Sequence, residues 1–242
     1  MTSFEVWLPV GAIGLYLFDS ILWLYSNELI FQNRGGKWIC AGIPAFLVAG
    51  RRVCFPNPLT PGTPQFKVRW SDSDRRSEQE SAAELDEFFR ALRPVKYLAT
   101  TLLVILLILP VELLLFGTGT ELLVLMAAFY LLIVVTLICI FRRRRELRLT
   151  GRAFAALCFD SLACSPFAVN LVRKLSLRRS LAGNPIAFAS KSFEPAALAR
   201  LIEGVTSRVR EEQVREAGQT ARWQELEAYR RQLEAMVADP NS

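Results

Sequence analysis

The chain has 242 residues, 52% of them hydrophobic, with mean hydropathy +0.28, 29 Lys+Arg against 23 Asp+Glu, and no histidine. That is too apolar for an ordinary water-soluble domain of this size, and the apolar residues stand in long blocks. Without histidine the chain lacks the commonest general base, the commonest zinc ligand and the usual pH switch. The five cysteines, Cys40, Cys54, Cys139, Cys158 and Cys164, form no CxxC pair and read as small apolar filler in a reducing compartment.

The first apolar block, residues 4–25, carries only Glu5 and Asp19 as charges. It has no basic residue before it and no A-x-A site after it, so it reads as a membrane helix rather than a cleaved signal. Further blocks cover residues 97–116, with Glu112 their only charge, and 122–141, with none. Each block supplies the roughly 20 apolar residues that cross ~30 Å of hydrocarbon.

Basic residues set the orientation. None lies in residues 1–25 or in the short loop 117–121; eleven lie in 26–97 and eighteen after Phe141. The positive-inside rule then puts the N-terminus outside and the C-terminus in the cytoplasm, in an inner cell membrane crossed three times. A fourth apolar stretch, residues 153–172, contains Asp160, Pro166 and Asn170 and is basic on both flanks. Spanning would carry one flank outside, so the expectation is a re-entrant or interface-lying segment bent near Ser165-Pro166. A fourth crossing is the alternative.

Between the first two crossings, residues 45–48 and 52–55 read as a hairpin about Ala49-Gly50-Arg51, and residues 65–70 as a third strand. Pro58, Pro61 and Pro64 stand three apart, the spacing of a polyproline II connector or, alternatively, of a recognition ligand. Residues 71–76 read as a polar turn. Ser77 with Glu80, or Ser81 with Glu84, has capping-box spacing for a helix over 78–93, whose Leu85, Phe88, Phe89 and Leu92 make one apolar face. Pro94 is expected to end or kink that helix. Toward the C-terminus, residues 186–189 read as a strand, and Leu198, Leu201, Ile202, Val205 and Val209 as the stripe of a helix opened by Pro195. After a break at Gly218, Leu226, Tyr229, Leu233 and Met236 form a second stripe, a candidate partner-binding face.

No phosphate loop, metal-ligand cluster or nucleophile motif is present, and no cofactor or metal is expected. Ser190-Lys191-Ser192 lacks the geometry of a serine–lysine dyad. Carboxylates at membrane depth are the residues most in need of a reason. Asp19 and Asp160 sit in matching contexts, Phe-Asp-Ser-Ile-Leu and Phe-Asp-Ser-Leu-Ala, and a pair sharing one proton would suit an ion or proton pathway or an intramembrane hydrolase. The bland alternative pairs Asp19 with an arginine or has it hydrogen-bond a helix end near the inner interface. Arg142, Arg143, Arg144, Arg145, Arg173, Lys174, Arg178 and Arg179 are the candidate contacts to anionic lipid head groups, each drawn by about 1 kcal/mol near the surface. Nucleic-acid binding is disfavoured, because no recognition module accompanies the charge.

The expectation is thus a membrane α-helical protein with three transmembrane helices, a re-entrant or interfacial segment and a small cytoplasmic α+β module. Its segments are 1–25, 26–96, 97–141, 142–182 and 183–242. The expected role is a non-enzymatic accessory, scaffold or adaptor subunit acting through its cytoplasmic helices, as part of a homo-oligomer or with a protein partner.

Overall fold

The computed structural model describes residues 3–41, 46–70, 82–117, 119–179, 181, 185–215 and 221–238. The protein is mostly helical, with two small sheets, and its contacts divide it into two units. One unit takes Met1–Ile21, Phe55–Pro64 and Ser81–Arg178; the other takes Leu22–Cys54, Gln65–Glu80 and Arg179–Ser242.

The first unit contains α1 (Ser3–Ser20), α2 (Ala82–Phe116), α3 (Thr120–Arg142), α4 (Gly151–Ala163), a 3-10 segment (Ser165–Asn170) and α5 (Leu171–Leu177). α2 and α3 are long and apolar enough to cross a membrane. Their exposure separates them from the core helices of a soluble protein: only 33% and 28% of their most apolar windows are buried. α3 buries Phe129, Ile133, Thr136, Leu137 and Ile140 while exposing Leu123, Val124, Leu131 and Ile138. Both helices therefore keep wide apolar surfaces outside the core, as a membrane-span candidate does.

Three expectations need correction in this unit. α1 stops at Ser20, where Ile21 N–H closes a tight turn onto the Phe18 carbonyl, and Leu22–Leu24 turns extended as β1. Pro94 does not end its helix, because α2 runs through both Pro94 and Pro110. The ring at Pro94 removes the donor that would meet the Arg90 carbonyl. Arg143 Nη1 donates to that oxygen instead, at 3.3 Å. The Pro58–Pro64 stretch is a chain of turns rather than a polyproline helix. Asn57 Oδ1 accepts from Leu59 N–H at 2.9 Å, and Thr60 and Thr63 N–H close onto the carbonyls three residues back. The residues 77–81 that carried the capping signals lie outside the described residues.

α4 begins at Thr150, whose hydroxyl accepts from Ala153 N–H at 3.2 Å. The α-helix gives way at Cys164, and the 3-10 segment opens with Pro166 in its first turn. Ser165 and Pro166 line a cavity of about 140 Å³ with Ala12, Leu109, Pro110 and Met126. At the other end, Arg178 Nη1 donates to the Ala153 carbonyl at 2.9 Å, so the start of α4 and the end of α5 are bonded together.

The second unit holds two antiparallel sheets. One has order β1-β5-β4, where β4 is Phe46–Val48 and β5 is Arg51–Cys54. The hairpin turn needs Ala49 at φ +48 and Gly50 at φ +76. The other sheet has order β3-β2-β6, from Glu28–Arg34 (β2), Lys37–Cys40 (β3) and Gln65–Arg69 (β6). Gly35 and Gly36, both at positive φ, make its two-residue turn. Residues 186–189 are not a strand: α6 spans Pro185–Ser192. Proline suits the helix start, and Ile186 and Ala189 lie three apart on one buried face. Phe188 reaches the rings of Phe31 and Trp38.

α7 (Pro195–Arg215) buries Leu201, Ile202, Val205 and Val209. α8 (Ala221–Ala238) returns antiparallel, with Gln213 bonded to Glu227 and Arg210 to Glu234. Gly218 lies outside the described residues.

Candidate functional site

The densest polar cluster of the first unit forms where α1 ends. Asp19 occupies the last turn; Lys174 Nζ lies 3.0 Å from its Oδ1, and Asn170 Nδ2 donates to its Oδ2 at 3.0 Å. Asn170, 1% exposed, also donates to Ser20 Oγ at 3.1 Å, and its own Oδ1 accepts from Arg173 Nη1 at 3.2 Å. A second arm of Arg173 donates to the Asn57 carbonyl, and the Tyr16 hydroxyl donates to the Pro58 carbonyl. Lys174 also stands 4.5 Å over the Phe167 ring.

Local sequence explains the layout. Asn170 sits where the 3-10 segment hands over to α5, so one more turn places Arg173 and Lys174 side by side, one inward and one toward Asp19. Arg173 is 2% exposed, and a guanidinium that deep must be hydrogen-bonded to be tolerated. Chemically the cluster is a clamp. Asp19 has its charge met by an ammonium and an amide, and its neighbours tie α1, α5 and the 55–64 loop together.

Asp160 takes no part in it. It is half-buried on α4; its carbonyl accepts from Cys164 N–H at 3.1 Å, and its carboxylate makes no ion pair or hydrogen bond among the described residues. Among the described residues no hydrogen bond joins the two carboxylates, and the partners of Asp19 are Lys174 and Asn170. Among the described residues, no group of three cysteine, aspartate or glutamate side chains could hold a metal ion.

The basic candidates divide. Arg142, Arg144 and Arg145 are exposed, as is Arg178, while Arg143 is half-buried against the Arg90 carbonyl. Arg173 and Arg179 are buried at 2% and 9% exposure, and Lys174 is engaged with Asp19. Arg173, inside α5, is turned by the helix toward packed neighbours, Arg179 lies just past the helix end, and Lys174 is half-buried. Of the stripe on α8, Leu226, Tyr229 and Leu233 are 1%, 7% and 1% exposed within the chain, and Tyr229 stacks on Trp70 at 5.7 Å. The side chain of Met236 lies outside the described residues.

The second unit has its own polar centre, which the sequence reading missed. Glu28 is fully buried, accepting from Tyr25 N–H at 3.0 Å and facing Lys67 Nζ at 3.1 Å and Arg69 Nε at 3.0 Å. Burial pushes its carboxyl up, but the Tyr25 amide, Lys67 and Arg69 together hold it below its ordinary value. Arg208 donates to the Glu28 carbonyl at 2.7 Å, and burial, with Arg52 beside it, pulls that guanidinium down. The Leu-Ile-Phe-Gln-Asn-Arg-Gly-Gly-Lys-Trp-Ile-Cys run was the available signal: two strand-like stretches about a Gly-Gly turn. Asn170 and the inward turn of Arg173 carried no such signal. Hollows of about 580 and 640 Å³ flank α7, one against Ile39 and Cys40 of β3 and the other against Glu234 of α8, sharing Glu203 and Ser207.

The chain matches no known family model, no curated protein and no solved structure.

Proposed function

We propose that the chain is a multi-pass protein of the inner cell membrane, working as a non-enzymatic accessory or scaffold subunit. One observation carries the reading: Asp19, the carboxylate best placed for chemistry, is neutralised by Lys174 and Asn170 and used as a structural clamp. Among the described residues no second acid is bonded into its site, which weighs against the ion-pathway and hydrolase alternatives.

In this reading α1 is a third crossing; its 18 residues extend about 27 Å, close to the hydrocarbon thickness. Residues 151–178 enter and leave on one side. The bond from Arg178 to Ala153 supports this, as does the placement of Ser165-Pro166 against Ala12, Leu109 and Met126. The exposed Arg142, Arg144, Arg145 and Arg178 would then meet anionic head groups, and the second unit would be cytoplasmic. With the α8 stripe buried, the face of α7 carrying Arg200, Glu203 and Ser207 is the surface left for a partner.

The test combines Asp19→Asn with Asp160→Asn. A scaffold predicts poorer folding from Asp19→Asn, no defect from Asp160→Asn, and no ion flux in proteoliposomes of the wild type. Normal folding of the double variant together with loss of a measurable proton or cation flux would overturn the reading.

A further inference from the structure

The β1-β5-β4 sheet presents one uncovered face of unusual chemistry. Its register pairs Trp23 and Phe46 with Val53, and Leu24 and Leu47 with Arg52. Cross-strand partners share a face and neighbours alternate. One face therefore carries Leu24, Leu47, Arg52 and Cys54, of which Leu24, Arg52 and Cys54 are buried. The opposite face carries Trp23, Phe46, Val48, Arg51 and Val53, with Tyr25 continuing it one residue past β1.

On that second face Phe46 is 81% exposed, Tyr25 52%, Val48 47% and Trp23 46%. Arg51 lies over the Tyr25 ring at 5.3 Å and is the one charge on this face among the described residues. Tryptophan, tyrosine and arginine around an apolar centre are the residues that settle at a membrane–water boundary. The chain ties this face to a helix of the first unit: Trp23 stands three positions after Ser20, the last residue of α1, a reach of about 10 Å at most.

We infer that this face docks on the cytoplasmic head-group layer of the bilayer that holds α1, with Phe46, Val48 and Trp23 at the acyl boundary and Arg51 on lipid phosphate. The inference rests on the membrane reading above. Its occupant is lipid rather than a protein because the face has no acidic group among the described residues, bears a cation, and follows the last residue of α1 by three positions in the chain.

The experiment places a photo-activatable benzoyl-phenylalanine at Phe46 in the full chain, reconstituted in vesicles containing phosphatidylglycerol. The same probe at Leu131, 65% exposed on α3, and at Val214, 83% exposed on α7, gives the two controls. Lipid adducts at Phe46 and Leu131, with at least ten-fold fewer at Val214, are expected. Adducts at Leu131 but not at Phe46, or a protein-sized cross-link at Phe46, would overturn the docking alone. Absence of lipid adducts at Leu131 would overturn the membrane reading and the docking with it.

Discussion

Asp19 and Asp160 stand in nearly the same local sequence, and the protein treats them differently. In both, the preceding phenylalanine is bare, Phe18 at 66% and Phe159 at 73%, and the following serine is buried, Ser20 at 0% and Ser161 at 1%. That likeness is helical geometry: successive residues turn by about 100°, so a Phe-Asp-Ser run sends its ends to opposite surroundings. The partners differ. Asp19 meets Lys174 and Asn170 delivered by another segment, and Ser20 bonds back to the Tyr16 carbonyl at 2.9 Å. Asp160 meets none, and the Ser161 hydroxyl is buried without a partner. Local sequence sets which way a side chain points; distant sequence decides what it finds there.

The largest test of that contrast removes the centre of the Asp19 cluster. Arg173→Ala deletes the bonds to Asn170 and Asn57 and is expected to cost about 3–5 kcal/mol, seen as lost monodisperse protein in detergent. Asp19→Asn is expected to cost about 2 kcal/mol, since Lys174 keeps its charge at 20% exposure without a counter-ion, and the melting temperature should fall. Glu28→Gln extends the comparison to the second unit at about 1–2 kcal/mol, because Lys67 and Arg69 can turn to water. The folded Glu28 carboxyl lies below its ordinary value of 4.5, so its contribution is complete above that pH and disappears as pH falls through the lower folded value. Wild type should therefore lose stability on acidification more steeply than Glu28→Gln, measured by thermal unfolding across pH 3–6 (about the range over which an acidic side chain titrates). Ser161→Ala removes an unpartnered buried hydroxyl and should be neutral or stabilising by up to about 1 kcal/mol. Asp160→Asn should change stability least, by under about 0.5 kcal/mol.

Hydropathy and helical periodicity made α2, α3 and the apolar stripes of α7 and α8 legible, because each depends on residues close in sequence. The Ala49-Gly50 turn was legible for the same reason. Pro94 misled because its cost is set by whether Arg143 reaches the freed Arg90 carbonyl, 53 positions earlier in the chain. The α6 segment misled because four apolar or small residues fit either period. In the site, Asp19 was singled out from sequence, but Asn170 and Lys174 lie more than 150 positions on, and no local pattern announces such a meeting. The α8 stripe was read correctly as an apolar face; what covers it, α7 and Trp70, is a matter of tertiary packing.

The central claim is that residues 151–178 dip into the bilayer and return, leaving Arg145 and Arg178 on one side and Glu121 on the other. Single cysteines at these three positions, in a background lacking the five native cysteines, can be labelled on intact cells with a membrane-impermeant maleimide. Labelling at Glu121→Cys alone, with Arg145→Cys and Arg178→Cys reacting only after permeabilisation, is the predicted result. Reaction of Arg178→Cys from outside would make the segment a crossing and contradict the account.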